Sequence, residues 1–183
     1  SADARFALGK LYMQQNQFDS AEKELNRALE YGYDPTKVLP LLTQAYQRTG
    51  AYSALSKVEH EEAGLTSVER AEIGYFKIVA LVRLNKIDEA HILIEELGDL
   101  ETSSVYKGLI AAYKLVLEED YQNAAEAVTE LREQAPQNAD VLKLLAQLKL
   151  SLNQPAEAVE IFKDYLSTYP EDTQTTFVLA KLL

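Results

Sequence analysis

Apolar residues recur at helical spacing along the whole chain, in a pattern with a period of 34 or 35 positions. Within each repeat they lie three or four positions apart, as in amphipathic helices that bury one face. One small or apolar residue follows the turn in each repeat, at spacings of 34, 35, 34 and 34: Ala21, Leu55, Ala90, Ala124 and Ala158. This period predicts stacked helical hairpins in which these residues serve packing.

The links and helix ends support this interpretation. Links such as Asn85 to Lys86 are too short for anything but an antiparallel helical hairpin. Asp34 followed by Pro35 predicts a helix start, and Thr66 with Glu69 predicts a capping box. Pro136 and Pro170 are expected to close second helices.

Two features interrupt the pattern. A proline deep inside a helix costs about 3 kcal/mol, so we expect the helix that contains Pro40 to begin only just before it. The second helix of the second repeat is expected to be short, over about residues 52–62.

The pattern predicts an all-α fold, because no stretch alternates apolar and polar residues as a strand does. We expect one domain, 1–183, which is a piece of a longer chain. Its predicted parts are five repeats, 2–34, 35–66, 67–101, 102–136 and 137–170, and an unpaired helix at 171–183.

The first repeat carries Leu8-Gly9, Tyr12, Ala21, Leu25 and Ala28. This series resembles the tetratricopeptide repeat, a helix pair of the same period, although the tryptophan of its signature is absent throughout the chain. The resemblance covers nearly the whole chain. It implies a right-handed superhelix, or α-solenoid, of about five helix-turn-helix repeats plus one extra C-terminal helix.

A narrower resemblance lies in "ALEYGYDPTKVLPLLTQAYQRTG", which begins at Ala28. This stretch is similar to envelope repeat lipoproteins of the bacterial exosortase (PEP-CTERM) sorting and exopolysaccharide system. That resemblance implies a periplasmic location and a longer parent chain, although no lipoprotein signal occurs in this sequence. The absence of cysteine fits a periplasm and a reducing cytoplasm equally, so cytoplasm stays the alternative.

The family resemblance also places a partner-binding groove on the first helices of the repeats. It implies an extended or helical peptide or protein segment that is held through apolar anchors. The candidate groove residues are Tyr75, Val79, Val82, Tyr106, Leu109, Tyr113, Val116, Lys143 and Gln147.

The charge balance narrows the choice of partner. The chain holds 29 acidic and 18 basic residues, a net charge of -11, and the excess acid lies after residue 50. Nucleic acids and anionic membranes require clustered Lys and Arg, so we expect a neutral or basic protein partner and no nucleic acid. No apolar run approaches the length of a membrane span.

Candidate catalytic and metal chemistry is sparse. His60 and His91 lie in different repeats, and neither has a second imidazole at helical spacing, so we interpret both as structural. The contiguous acids at 118–120 and 61–62 are typical of a solvated surface. We expect no cofactor, no metal and no enzymatic activity.

The leading hypothesis is therefore a non-catalytic scaffold for protein interactions. An alternative is a structural module that self-associates through its C-terminal helix, by way of Phe177, Leu179, Leu182 and Leu183. A third is an accessory carbohydrate-binding protein, suggested by the 11 tyrosines and the exopolysaccharide resemblance.

Overall fold

The computed structural model describes residues 1–62 and 64–183, and in these ranges it contains eleven helices and no strand. The helices are α1 (Ala2–Gln14), α2 (Phe18–Glu30), α3 (Pro35–Thr49), α4 (Tyr52–Leu55), α5 (Ser67–Arg83), α6 (Ile87–Gly98), α7 (Val105–Leu117), α8 (Tyr121–Gln134), α9 (Ala139–Ser151), α10 (Pro155–Thr168) and α11 (Thr173–Leu182). The predicted all-α fold is confirmed.

The chain divides into two compact units, Ser1–Lys107 and Gly108–Leu183, and the division falls within α7. In the first unit α1 packs on α2, α2 on α3, α3 and α4 on α5, and α5 on α6. In the second unit α8 packs on α9, α9 on α10, and α10 on α11. Within each unit these helices therefore pack mainly on their neighbours along the chain, as in a stack of helical hairpins.

One residue with a left-handed backbone conformation reverses the chain between the two helices of each hairpin. These residues are Asn16 (φ 57°), Gly50 (73°), Asn85 (58°), Glu119 (60°) and Asn153 (57°). The amide that follows donates to a carbonyl five positions back, as from Gln17 to Tyr12 at 2.9 Å and from Lys86 to Leu81 at 2.8 Å. This arrangement is a Schellman cap, and it satisfies the last carbonyls of the first helix.

The predicted helix starts are confirmed. Glu69 N donates to Thr66 Oγ1 at 3.2 Å, and Thr66 N donates to the Glu69 carboxylate at 2.8 Å, which completes the capping box. The Asp34 carboxylate accepts from Thr36 N at 3.0 Å, directly before a helix whose first residue is Pro35. These contacts satisfy amide groups that have no partner inside a helix.

The prolines at the ends of two second helices act as expected. Helix α8 ends at Gln134 and helix α10 ends at Thr168, two positions before Pro136 and Pro170 respectively. A proline biases the preceding residue away from helical geometry, so each helix closes at this point.

The small or apolar residues that mark the period are all fully buried, so their predicted packing role is confirmed. At two glycines, the contact between the first and second helices of a repeat leaves no room for a larger side chain. A methyl group added to Gly74 would overlap the Leu97 side chain, and one added to Gly108 would overlap Leu131. Glycine on the first helix thus makes room for leucine on the second.

The expectation for Pro40 was wrong, because α3 begins at Pro35 and continues through Pro40 to Thr49. Proline at this place removes one bond, the one that its amide would donate to the carbonyl of Thr36. Leu39 and Leu42 on either side are buried, and their packing offsets the loss.

The expectation of a helix over residues 52–62 was also wrong, because α4 ends at Leu55. The physical reason is visible one repeat earlier, where Leu25 and Ala28 are fully buried on α2. The corresponding residues after α4 are Glu59 and Glu62. Continuing the helix would bury two carboxylates, which is far more costly than ending it.

Asp172 joins three helices at the end of the second unit. Its carboxylate accepts from Thr175 N at 2.9 Å at the start of α11, from Lys143 Nζ of α9 at 2.6 Å, and from the Tyr165 hydroxyl of α10 at 2.7 Å. Burial alone would raise the pKa of Asp172, but these hydrogen bonds and the charge of Lys143 outweigh it and hold the pKa well below its usual range.

The turn residue Glu119 supports a prediction about stability. A side chain with a Cβ is strained in the left-handed region, but asparagine tolerates it, as at Asn16, Asn85 and Asn153. Glu119→Asn is expected to raise the free energy of unfolding by about 0.5–1 kcal/mol, measured by urea denaturation. The control is Glu118→Asn, which removes the same charge from the adjacent exposed residue. An equal change in both variants would contradict the strain argument.

The Asp172 cap supports a prediction about pH. Because the folded pKa lies below the unfolded value of about 3.9, the cap stabilises α11 above that value. The contribution is lost as the pH falls through the folded pKa. Hydrogen exchange of residues 173–182, corrected for intrinsic rates, should therefore accelerate in acid. Asp172→Asn should show fast exchange already at neutral pH and little further acceleration.

The control for this experiment is Asp164→Asn, which removes an exposed carboxylate that pairs with Arg132 on the surface. That variant should keep the normal acid response of α11. An unchanged acid response in Asp172→Asn would show that another group carries the effect.

Candidate partner-binding surfaces

Four of the nine predicted groove residues lie in the first unit, and one of them is not accessible. Tyr75 is only 4% exposed, with its ring centroid 5.3 Å from that of Phe76 and 5.7 Å from that of Tyr106. Residues 73–78 of α5 are all buried, so this part of the helix has no solvent face. The expectation for Tyr75 is corrected: it is a core residue.

The other three residues in the first unit keep a partly exposed surface. Val79 and Val82 lie on one face of α5, three positions apart, and Tyr106 lies in the first turn of α7. All three are of intermediate exposure. A partner could therefore contact these three side chains, whereas Tyr75 is buried.

In the second unit Leu109 is fully buried, with 0% exposure, so the expectation for it is corrected as well. It lies on the same side of α7 as Ala112, which is also fully buried. Tyr113 and Val116 are partly exposed, and Gln147 on α9 is exposed.

Lys143 has a structural role that the sequence did not reveal. Its ammonium lies 2.6 Å from the Asp172 carboxylate and 4.8 Å from the centre of the Tyr165 ring. It links α9 to the start of α11, so its charge is already partnered. Its side chain is still partly exposed, so its place in the groove stays a prediction.

The partly exposed apolar residues occupy matching places in two repeats. Tyr113 and Val116 occupy the places in the fourth repeat that Val79 and Val82 occupy in the third. In the other repeats the place of Val79 is polar, with Lys10, Gln44 and Gln147. We refer to Val79 and Val82 of the first unit, and to Tyr113 and Val116 of the second, as the two parts of the first-helix strip, a name that describes their place in the repeat.

Helix α5, which carries Val79 and Val82, also carries the carboxylate of Glu72. Glu72 lies two turns before Val79 on that helix and accepts a hydrogen bond from Gln44 Nε2 at 3.4 Å. The pKa of Glu72 is raised, mainly by burial and also by the negative charge of Glu69. The hydrogen bond from Gln44 acts in the opposite direction and lowers this pKa. A basic group on a partner would relieve the cost of ionising this carboxylate.

Helix α11 presents a second apolar surface. Phe177 is 61% exposed and Leu183 is 81% exposed, whereas Leu179 and Leu182 are partly exposed. Lys181 lies over the Phe177 ring at 4.3 Å. In the matching "FALGKLY" stretch of α1, Phe6 instead stacks on Tyr33 at 4.2 Å.

An open cleft of about 710 Å³ lies in the first unit, away from the strip. Its apolar walls include Leu29 of α2, Leu39 and Leu42 of α3, and Tyr52 of α4. It lies beside the point where α4 ends, and Lys57, Val58 and Glu59 border it there. We call it the α4 cleft.

The residues that follow α4 lead into a buried polar cluster. His60 and Lys77 are both at least nine-tenths buried. Lys77 Nζ donates to His60 Nδ1 at 3.0 Å, which leaves the opposite nitrogen, Nε2, to donate to Glu96 at 2.9 Å. Burial lowers the pKa of Lys77, and the charges of Glu59, Glu96 and Glu61 oppose this.

This cluster gives His60 a structural role, in agreement with the sequence interpretation. Lys77 was not anticipated, although its place holds Leu8, Leu42 and Leu145 in three other repeats. A lysine at an apolar position of the repeat is the signal that could have indicated a buried ion cluster.

The acidic segments have ordinary surface roles. Glu118 and Glu119 are exposed, and Asp120 caps α8 by accepting from Asn123 N at 3.3 Å. Glu61 pairs with Arg70 at 3.4 Å. Over residues 1–62 and 64–183, no three His, Cys, Asp or Glu side chains are arranged to hold a metal ion. In the same residues, no helix has the length and apolar character needed to cross a membrane.

Comparison with solved structures shows the fold. TTC0263, a thermophilic TPR protein of Thermus thermophilus, matches with a TM-score of 0.72 and 18% identity over 100% of this chain and 98% of that one. A tetratricopeptide repeat protein of Parabacteroides merdae matches with a TM-score of 0.64 and 16% identity over 91% and 65%. YrrB, a TPR protein with an unusual peptide-binding site, matches at 0.52 and 17% over 100% and 93%.

A search of curated proteins found no match. The family model for the tetratricopeptide repeat matches residues 1–45 and 115–182, which is more than half of the chain. The stretch between these matches contains the shortened α4 and the buried Lys77 cluster. The matched segments, the helical hairpins and the solved structures agree, and the chain belongs to the tetratricopeptide repeat family.

Proposed function

We propose that this protein is a binding scaffold that holds peptide or protein segments on first helices, through Val79 and Val82 in the first unit and through Tyr113 and Val116 in the second. Tetratricopeptide repeats are in general non-catalytic scaffolds for protein interactions. In this protein the side chains that contact the partner are those of Val79, Val82, Tyr113 and Val116. Tyr106 in the first unit and Gln147 in the second are also accessible to a partner.

The observation that carries the proposal is the apolar character of the strip. Solvent favours polar side chains at the place of Val79, as Lys10, Gln44 and Gln147 show. Valine and tyrosine at that place are partly exposed to water in two successive repeats. Apolar groups kept at the surface in matching places are typical of an interaction site.

The chemistry of the partner follows from the same residues. Apolar anchors on an extended or helical peptide would cover the strip, and a basic group would favour the neighbourhood of Glu72. The net charge of -11 favours a neutral or basic segment over an acidic one. The fold likeness to YrrB, a protein with a peptide-binding site, supports a peptide as the ligand.

We also propose that the scaffold serves the bacterial envelope, in the exosortase sorting and exopolysaccharide system. The support for this is the similarity of residues 28–50 to repeat lipoproteins of that system. Fractionation of the native host with an antibody against this chain would test the location. Recovery in the cytoplasmic fraction alone would remove the proposal.

Self-association through α11 is the second candidate, favoured by the exposure of Phe177 and Leu183. It predicts a mass in sedimentation equilibrium that rises with concentration, and a lower mass for Phe177→Glu at the same concentration. A constant monomer mass at all concentrations would remove this candidate and leave the peptide-binding proposal untouched.

The strip can be tested by truncation. The double variants Val79→Ala with Val82→Ala, and Tyr113→Ala with Val116→Ala, should each weaken capture of a partner from native host extract by tenfold or more. These side chains are partly exposed, so each double variant should lose only about 1–2 kcal/mol of folding stability. Quantitative capture and thermal unfolding measure the two effects.

The matched control is Ile92→Ala on α6, which removes an apolar side chain that is 68% exposed outside the strip. It should capture the same partner as the wild type. Leu109→Ala marks a core position and should lose about 2–5 kcal/mol of stability. Unchanged capture by both strip variants, with their folds intact, would refute the proposed site.

A further inference from the structure

We propose that Glu72 makes the first-unit part of the first-helix strip selective for a segment that carries Lys or Arg at a fixed distance from an apolar anchor. The basic group would pair with the Glu72 carboxylate, and the apolar anchor would cover Val79 and Val82. This selectivity rests on the proposed function, because Glu72 would act as a specificity residue of that same site.

Glu72 is placed so that a segment on the valines can reach it. It lies seven positions before Val79 on α5, and residues seven positions apart lie on the same side of a helix. Both side chains are of intermediate exposure, whereas residues 73–78 between them are all buried. A segment that covers Val79 can therefore also contact the carboxylate.

Two other buried or partly buried carboxylates of this chain have basic partners. Glu24 is 6% exposed, and its carboxylate lies 2.6 Å from Arg5 and 3.1 Å from Arg27. The partly buried carboxylate of Asp172 lies 2.6 Å from Lys143 Nζ. In both cases a cation compensates for the water that the carboxylate has lost.

Glu72 has no such cation in the part of the chain that the structure describes. It accepts a hydrogen bond from the neutral amide of Gln44 at 3.4 Å. The charge that acts on it is that of Glu69, which is also negative and, after burial, is a second cause of its raised pKa. A basic side chain on a partner would supply the missing positive charge.

The separation between Glu72 and Val79 determines the spacing on the partner. Seven helical residues rise about 10.5 Å along the axis of α5. An extended segment advances about 3.3 Å per residue, so its basic residue and its apolar anchor would lie about three positions apart. In a helical segment they would lie about seven positions apart.

The lack of an internal partner can be tested on the protein alone. Glu72→Gln should leave the midpoint of thermal unfolding unchanged or raise it, because it removes a charge that no cation compensates. Glu24→Gln, at a carboxylate with two arginine partners, should lower the midpoint. An equal drop in both variants would show that Glu72 has a structural partner and would overturn the proposal.

The selectivity can be tested by selection from a phage-displayed library of random linear peptides on the immobilised chain. The wild type should enrich peptides with Lys or Arg at one of the two spacings from an apolar residue. Glu72→Gln should keep the apolar residue and lose the basic one. A peptide selected on the wild type should bind Glu72→Gln about tenfold more weakly.

A charge reversal and a matched control complete the selection. Glu72→Lys should enrich Asp or Glu in place of the basic residue. Lysine fits at this place of the repeat, since Lys37 occupies it in the second repeat and is exposed. Glu30→Gln removes the same charge from an exposed residue at the end of α2, and it should enrich the same basic peptides as the wild type.

The results distinguish a failure of this selectivity from a failure of the proposed function. Peptides that need Val79 and Val82 but carry no basic residue would overturn the selectivity alone. Equal enrichment of the basic residue by wild type and Glu72→Gln would do the same. If no peptide is enriched, or if binding survives Val79→Ala with Val82→Ala, the site itself is refuted and the role of Glu72 with it.

Discussion

The burial of an apolar pair on each complete second helix is the interaction on which the stack depends. A single helical hairpin buries too little area to fold alone, so its stability comes from its neighbours. The left-handed turn residues, such as Asn16 and Asn85, set the reversal that brings the two helices together. Where the pair is intact the helix continues, and where it is replaced by Glu59 and Glu62 the helix stops.

Much of the fold could be predicted because its determinants are local and repeated. The period of the apolar pattern, the capping box at Thr66 and the helix ends before Pro136 and Pro170 depend on residues close in sequence. The end of α4 was equally local, but it required comparing Glu59 and Glu62 with the same places in other repeats. Pro40 misled because tertiary packing of Leu39 and Leu42 decides whether a helix tolerates a proline.

The candidate site was harder to predict, because exposure depends on the packing of whole helices. The family resemblance placed Tyr75 and Leu109 on the groove face, yet both are buried. The sequence pattern also allowed an exposed Lys143 without an ion-pair partner. In the structure its ammonium instead pairs with the carboxylate of Asp172, which lies beyond the next helix. The family's tryptophan would fall at Gly74 in the third repeat, where Leu97 on the second helix fills the volume instead.

The departures from the repeat around α4 compensate one another. Lys77 stands where three other repeats have leucine, and a buried ammonium requires partners that an ordinary second helix would not supply. Because α4 ends early, His60 reaches Lys77, and Glu59 and Glu61 stay close enough to influence its charge. Replacing Lys77 with leucine alone would leave His60 without its donor, and extending α4 alone would remove the histidine from the lysine. The shortened helix and the buried lysine therefore depend on each other, and the open cleft beside them is a consequence of both.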